Sequence, residues 1–304
     1  MNQEYKTGIL YAAAAYLLWG FLPIYWKFLK DTPPGEILAH RILWSFIFMI
    51  IIVVAVRKWQ PFIEECKRIL KNRKQLIGIT LASIVISLNW LTFIWAVNHD
   101  HVIQSSLGYY INPLVSILLG MIVLKETLTK QQLFSFILAA VGVVNLTISY
   151  GVFPWISLAL AFTFAIYGLL KKTVSISPMF GLTIETMIVT PIALIYLFVI
   201  PDSSIKTEVM FTASGPLLVG AGVATAIPLL LFATGAKQIP LSMVGFLQYI
   251  APTIMLILGV FVYGETFSAA HLLSFGLIWM ALIIYMTSAN QKPRRRRGKS
   301  QKTS

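Results

Sequence analysis

Two stretches decide the fold: YINPLVSILLGMIVLKETLTKQQLFSFILAAVGVVNLTIS at 110–149 and YIAPTIMLILGVFVYGETFSAAHLLSFGLIWMALIIYMTS at 249–288. They align without a gap at a shift of 139 residues, which puts Tyr110/Tyr249, Pro113/Pro252, Gly120/Gly259, Glu126/Glu265 and Thr127/Thr266 in register. Shared apolar composition does not readily superpose a proline, a glycine and a Glu-Thr pair at one spacing. Each stretch holds two apolar runs of membrane-spanning length, about 20 residues, joined by a short polar connection. Working outward, Trp19-Gly20 matches Tyr167-Gly168 and Pro34 matches Pro178, more loosely. The chain therefore divides into two halves, 1–149 and 150–288, followed by a basic tail, 289–304.

Ten apolar runs are expected to be transmembrane helices: Gly8–Phe28, Ile37–Val56, Gln75–Val97, Ile103–Leu124, Gln132–Ser149, Phe153–Leu170, Phe180–Ile200, Gly215–Thr234, Leu241–Tyr263 and His271–Ser288. The first is too long for the core of a signal peptide and has no small-residue cleavage site after it. Five spans per half is an odd number, so the second half enters the membrane from the opposite side. The fold class is an all-α integral membrane protein built from two inverted five-helix repeats, a plan that recurs in secondary transporters.

Composition agrees with a lipid environment. Of 304 residues 58% are hydrophobic and 12% charged, with mean hydropathy +0.80. Soluble domains carry about twice that share of charge, so neither a soluble enzyme nor a disordered chain fits. The net charge of +13 is mostly a record of orientation. With the N-terminus inside, 20 of the 24 Lys and Arg residues fall on the cytoplasmic side and three outside, and Arg41 lies within a span. That bias places both termini in the cytoplasm. The tail Lys292–Lys299 is then an anchor for anionic headgroups and not a nucleic-acid signal. The 57–74 loop, with Trp59, Phe62, Ile63, Ile69 and Leu70, is expected to form a surface amphipathic helix. The single cysteine, Cys66, excludes an internal disulfide and a Cys/His metal cluster.

The motifs resemble the EamA group of the drug/metabolite transporter superfamily, and within it the RarD subfamily. They are the Gly8–Gly20 opening, the stretch Glu36–Trp44 with Ala39-His40-Arg41, the pair Asn89-Trp90, Gly108–Leu114, Glu126, Leu182–Thr186 and Phe246–Thr253. The resemblance covers Gly8 to Ser288. It implies a ten-helix inner-membrane carrier without an ATPase, running in the direction of export. Members are often labelled chloramphenicol-sensitivity proteins, which names no substrate for this chain.

Arg41 lies roughly 8 Å into the second span at 1.5 Å per residue. It is either a clamp for an anion or substrate at the outer mouth, with His40 beside it, or it snorkels to the headgroups. Glu185 holds the matching place in the second half, near the inner face. It is either a proton-coupling site or a structural hydrogen-bond acceptor, and each of the two charges is expected to line its own vestibule. Asn89, Trp90, Tyr110, Asn112, Gln248 and Tyr249 form a polar and aromatic mid-span set, beside helix breaks expected at Pro113 and Pro252. Together with Arg41 they are the candidate substrate-binding residues, and with Trp19 and Trp26 they would suit an aromatic or amphiphilic solute. Single members of the set also fit plain interhelical hydrogen bonding. Glu126 and Glu265 are expected to be structural, capping the following helix or pairing with nearby charge. His99-Asp100-His101 is expected to be a solvated turn without metal.

The sequence has no Walker A loop, no paired catalytic carboxylates and no nucleophile–base triad. The expectation is a non-enzymatic secondary transporter of a small organic metabolite or drug-like solute, without cofactor, metal or nucleic acid. A homodimer is left open. A passive channel and an intramembrane lipid-handling protein are the alternatives.

Overall fold

The computed structural model describes residues 3–99, 101–151, 153–201, 203–205, 211–212, 214–262 and 268–288. Asp100, Lys206, Glu265 and the basic tail, with its expected headgroup contacts, lie outside them. Among the described residues every regular element is a helix: α1 Gln3–Lys27, α2 Pro34–Ala55, α3 Trp59–Lys71, α4 Arg73–Asn98, α5 Val102–Ile122, α6 Lys130–Tyr150, α7 Trp155–Thr173, α8 Pro178–Val199, α9 Ser214–Gln238, α10 Leu241–Gln248, α11 Ile250–Ile257 and α12 Ala269–Ser288. A π-helical turn, Leu258–Val262, follows α11. Among the described residues nine helices are long and apolar enough to cross a membrane, with α10, α11 and the π turn counted as one, and a shorter apolar stretch, Leu107–Ile122, lies in α5. This is the expected ten-helix membrane protein.

The helix ends follow local chemistry. Proline occupies the first helical position of both α2 and α8, where its missing N–H costs nothing. Asn72 and Ser177 cap α4 and α8 with side-chain oxygens, and Thr129 with Gln132 forms a capping box on α6. Gly151 ends α6 at φ 68°, a left-handed conformation that glycine adopts without strain. Between the second and third spans, α3 lies amphipathically. It buries Phe62 and Ile69 beside Ile79 and Phe180 and leaves Trp59 and Leu70 exposed.

The two expected helix breaks differ. The ninth span is interrupted at Tyr249, and Pro252 falls in the first turn of α11, where an absent N–H is harmless. By contrast, α5 runs unbroken through Pro113. The missing hydrogen bond is absorbed within a continuous helix, leaving only the Tyr109 carbonyl without its helical donor.

Interhelical contacts sort the loops onto two faces. On one, rich in lysine and arginine, Arg68 donates to Ser175 O, Lys172 to Ile239 O, and Glu126 accepts from Leu241 N. On the other, Glu36 accepts from Ser203, Tyr25 donates to Leu217 O, and Trp95 packs on Trp155. These are called the basic and the opposite face below.

Packing relies on small residues. Gly8, Ala12 and Gly235 let α1 and α9 touch at backbone distance, and a Cβ on Gly222 of α9 would lie 2.3 Å from the Trp44 carbonyl carbon of α2. Ser45 Oγ donates to Gly222 O at 2.9 Å across the same contact. The main pairs are α1 with α9 and α7 with α4, α1 with α11 and α7 with α5, α2 with α9 and α8 with α4. Three further pairs, α2 with α8, α5 with α10 and α6 with α12, join the halves directly. Exchanging each helix for its counterpart five spans away maps this set onto itself.

Gly222→Ala is expected to destabilise by about 1–3 kcal/mol, because the added methyl meets backbone that cannot yield. A thermal midpoint in detergent unchanged from wild type would contradict that contact.

Candidate functional site

Three polar clusters sit inside the bundle. The first surrounds Arg41 on α2. Its Nε donates to Thr225 Oγ1 of α9 at 2.9 Å. The guanidinium carbon lies 4.9 Å from the Trp26 ring centroid and 5.2 Å from that of Trp90. Tyr109 of α5 is within electrostatic range. Arg41 thus turns inward between α1, α4 and α9 instead of out to lipid, and no carboxylate pairs with it among the described residues.

His40, its neighbour, faces elsewhere. Trp44 Nε1 donates to His40 Nδ1 at 3.1 Å, which leaves the ring proton on Nε2 to meet Ser204 Oγ at 2.7 Å. Ser204 Oγ in turn donates to Glu36 at 2.6 Å. This relay fastens the segment after α8 to the first turn of α2. Ser204 lies far away in sequence, so nothing local announces it.

The second cluster lies where α5 crosses α10. Gln248 Nε2 donates to Ser116 Oγ at 3.2 Å, and Ser116 approaches Asn112 Oδ1 at 3.4 Å. The Tyr249 hydroxyl is buried with no hydrogen-bond partner among the described residues, and the buried Tyr16 hydroxyl lies beside Gln248. Tyr110 packs edge-on against Phe275 at 5.2 Å. Asn89 stands apart, donating to Leu160 O at 2.9 Å and Thr163 Oγ1 at 2.8 Å, both on α7. Between these clusters Tyr16, Trp19, Phe164, Tyr167 and Phe232 form an aromatic group, in which Trp19 meets Phe164 edge-on, Tyr167 stacks on Phe232, and the Tyr16–Trp19, Trp19–Phe232 and Phe164–Phe232 pairs are tilted. Tyr16/Trp19 and Phe164/Tyr167 occupy matching places in the two halves.

The third cluster is built on Glu185 of α8, 5% exposed. Lys171 Nζ of α7 donates to Glu185 Oε1 at 2.8 Å, and Tyr167 Oη donates to Oε2 at 3.0 Å. Lys171 is as buried as its partner. The sequence places it at a loop edge, but the last turn of α7 carries it inward, one turn beyond Tyr167. The (i, i+4) spacing of Tyr167 and Lys171 was the available signal.

Two small cavities, each with room on the scale of water, meet at Glu185. One also contacts Lys171 and Lys237. The other also contacts Trp90, Tyr167 and Thr186. Arg41 and Glu185 are therefore not ion-paired; Trp90 and a cavity come between them. Of the expected substrate-binding set only Trp90 lines either cavity, so the set does not enclose one chamber in this conformer.

The basic-face ends of α7 and α9 are cross-fastened. Lys172 of α7 donates to Ala236 O and Ile239 O at 3.3 and 2.5 Å, at the end of α9. Lys237 of α9 donates to Val174 O at 2.9 Å and to Ile176 O, just past the end of α7. Each ammonium meets the negative end of the other helix. The corresponding helices of the first half, α1 and α4, do not form a packed pair. Arg41, Trp26 and Trp90 occupy the space between them.

Glu126 does not cap the next helix, as expected, because Thr129 already does. Its two oxygens accept from Leu241 N at 2.6 Å and Ser242 N at 2.9 Å, capping α10 in the other half.

The EamA-like transporter family matches this chain twice, over residues 6–148 and 153–287. An uncharacterized transporter of Bacillus subtilis (strain 168), YojE, is 48% identical over 290 residues, 94% of this chain and 96% of its own length. Protein RarD of Escherichia coli (strain K12) is 42% identical over 294 residues, 96% of this chain and 98% of its own. A solved crystal structure superposes with a TM-score of 0.67 at 16% identity, covering 94% of this chain and 99% of the other, and shares the fold.

Removing one member of the buried pair leaves the other charge without its partner. Lys171→Met or Glu185→Gln alone is expected to cost about 3–5 kcal/mol, and the double substitution to recover most of it. Thermal midpoints of the three variants in detergent measure this, and singles milder than the double would count against the pair.

Proposed function

The chain belongs to the EamA-like transporter family, and we propose that it is a secondary transporter moving a small organic solute by alternating access. In this reading 1–149 and 150–288 are inverted repeats, both termini are cytoplasmic, and the basic face is the inner one. The single observation that carries it is the difference between two matching places. The inner ends of α7 and α9 are fastened by Lys172 and Lys237, while the outer ends of their counterparts, α1 and α4, are not packed together. Two halves with equivalent packing but unequal closure are what a carrier caught on one side of its cycle requires. The self-mapping set of helix pairs supports the same view, since rocking one half against the other would exchange the roles of the two ends.

In the opposite state the lysines release the helix-end carbonyls, α7 and α9 part, and α1 closes toward α4. Glu185 is placed to couple this to a proton. Protonation removes the charge that holds Lys171 on the last turn of α7, beside Lys172, and Lys237 lines the same cavity. Export is favoured by the family resemblance, and counterflow in oriented vesicles would assign the direction.

Two tests follow. Ala82 lines the inner cavity. In a Cys66→Ser background, Ala82→Cys is expected to resist a membrane-impermeant maleimide from the inner side. Adding Lys172→Gln and Lys237→Gln should raise its labelling more than about tenfold, since hydrogen bonds to charged groups contribute roughly 1.5–3 kcal/mol each. Unchanged labelling would remove the latch from the mechanism.

Cys66 reports the orientation. Burial, and secondarily the neighbouring Glu65, hold its thiol above the usual range. The reactive thiolate is therefore scarce at neutral pH. Labelling should occur only from the cytoplasm and accelerate at more alkaline pH than for a free thiol. Labelling from outside intact cells would reverse the topology.

A further inference from the structure

We propose that the pocket around Arg41 binds the carboxylate of an organic monoanion whose planar body lies against Trp26 and Trp90. The proposal deepens the transporter reading, and rests on it only in making this anion the cargo.

A guanidinium has five N–H donors in a rigid fork. Here one is used, Nε on Thr225. The Thr225 hydroxyl is itself committed, donating to Ala221 O at 2.8 Å. The terminal nitrogens have no acceptor among the described residues. The buried charge in the matching place of the other half, Glu185, is fully answered by Lys171 and Tyr167. So, of the two charges at matching places, the fold neutralises one internally and leaves the other to aromatic faces. Indole faces attract a cation but accept no hydrogen bonds in the fork's plane. What completes the site is a coplanar pair of oxygens, the bidentate partner that guanidinium geometry selects.

The position agrees with a cargo site. Arg41 stands between α1 and α4, the gap whose counterpart at the basic face is shut by Lys172 and Lys237. Closing an empty site would bury an unanswered cation in a low-dielectric interior, which opposes its enclosure. A bound carboxylate cancels that charge, so the loaded pocket can close where the empty one resists. The flanking indoles favour a flat apolar body on the anion, and the cationic fork rejects an ammonium in the same place.

The test uses purified full-length protein and three matched series: benzoate, benzamide and benzylammonium; phenylacetate with its amide and amine; indole-3-acetate with its amide and amine. The expected result is a saturable rise in melting temperature with the carboxylates alone, accompanied by quenching of tryptophan fluorescence. Arg41→Lys should weaken the carboxylate effect about tenfold, since it keeps the charge and loses the fork, and Arg41→Gln should abolish it. Trp90→Leu should weaken the aromatic carboxylates more than acetate, a readout available even if Arg41→Gln does not fold. Amides or amines acting as strongly as carboxylates, or a carboxylate effect that survives in Arg41→Gln, would overturn the proposal. Counterflow of labelled carboxylate in proteoliposomes separates the two readings. Binding without flux defeats transport and leaves the site; flux that persists in Arg41→Gln defeats the site and leaves transport.

Discussion

Hydrocarbon offers backbone N–H and C=O groups no hydrogen-bond partner, and the architecture depends on that one constraint. It makes every described element helical, and it forces polar side chains inward. Ile148, Ile192 and Leu10 can face lipid, being 73%, 67% and 69% exposed. Asn89, Asn112 and Gln248 cannot: Asn89 and Gln248 bond to neighbouring helices, and Asn112 meets Ser116 of its own. The hydrophobic effect gives no drive for one apolar helix to meet another inside a bilayer. Close approach at Gly222 and Gly235, and bonds such as Ser45 to Gly222 O, take its place.

Against that background the two intramembrane charges at matching positions have been treated differently. Glu185 is enclosed with a cation and a phenol, a locked arrangement that couples α7 to α8. Arg41 has a single hydrogen bond and two aromatic neighbours. Matching places in the two halves thus hold an internally paired charge near the basic face and a charge left to one hydroxyl and two indoles near the other. The aromatic group of Tyr16, Trp19, Phe164, Tyr167 and Phe232 lies between them, where the halves meet.

The spans were legible because lipid imposes a length and a hydropathy that local sequence must carry alone. Their starts were less so: the helices begin at Pro34, Lys130 and Pro178, a little before the expected Ile37, Gln132 and Phe180. The break at Pro252 could be read and the continuity at Pro113 could not, since whether a helix absorbs a missing hydrogen bond depends on its neighbours. Arg41 and Glu185 stood out as charges within apolar runs. Their partners did not: Thr225, which meets Arg41, comes from a distant segment, and Lys171, which meets Glu185, looks like a loop lysine until the last turn of α7 points it inward. Glu126 was visible as a terminal carboxylate, but only tertiary structure assigns it to α10.

That last bond has a mechanical meaning. In the ninth span the regular hydrogen-bond ladder lapses at Tyr249, the one residue between α10 and α11, although its backbone stays helical at φ −65° and ψ −13°. Glu126 follows α5 directly and holds the leading amides of α10, and Ser116 grips Gln248 at its other end. The eight-residue piece is thereby bolted at both ends to the first half, although the chain assigns it to the second. A displacement of α5 would carry α10 as a passenger and load the ninth span at Tyr249, so the mechanical division of the molecule would not coincide with the division between the two family matches, 6–148 and 153–287.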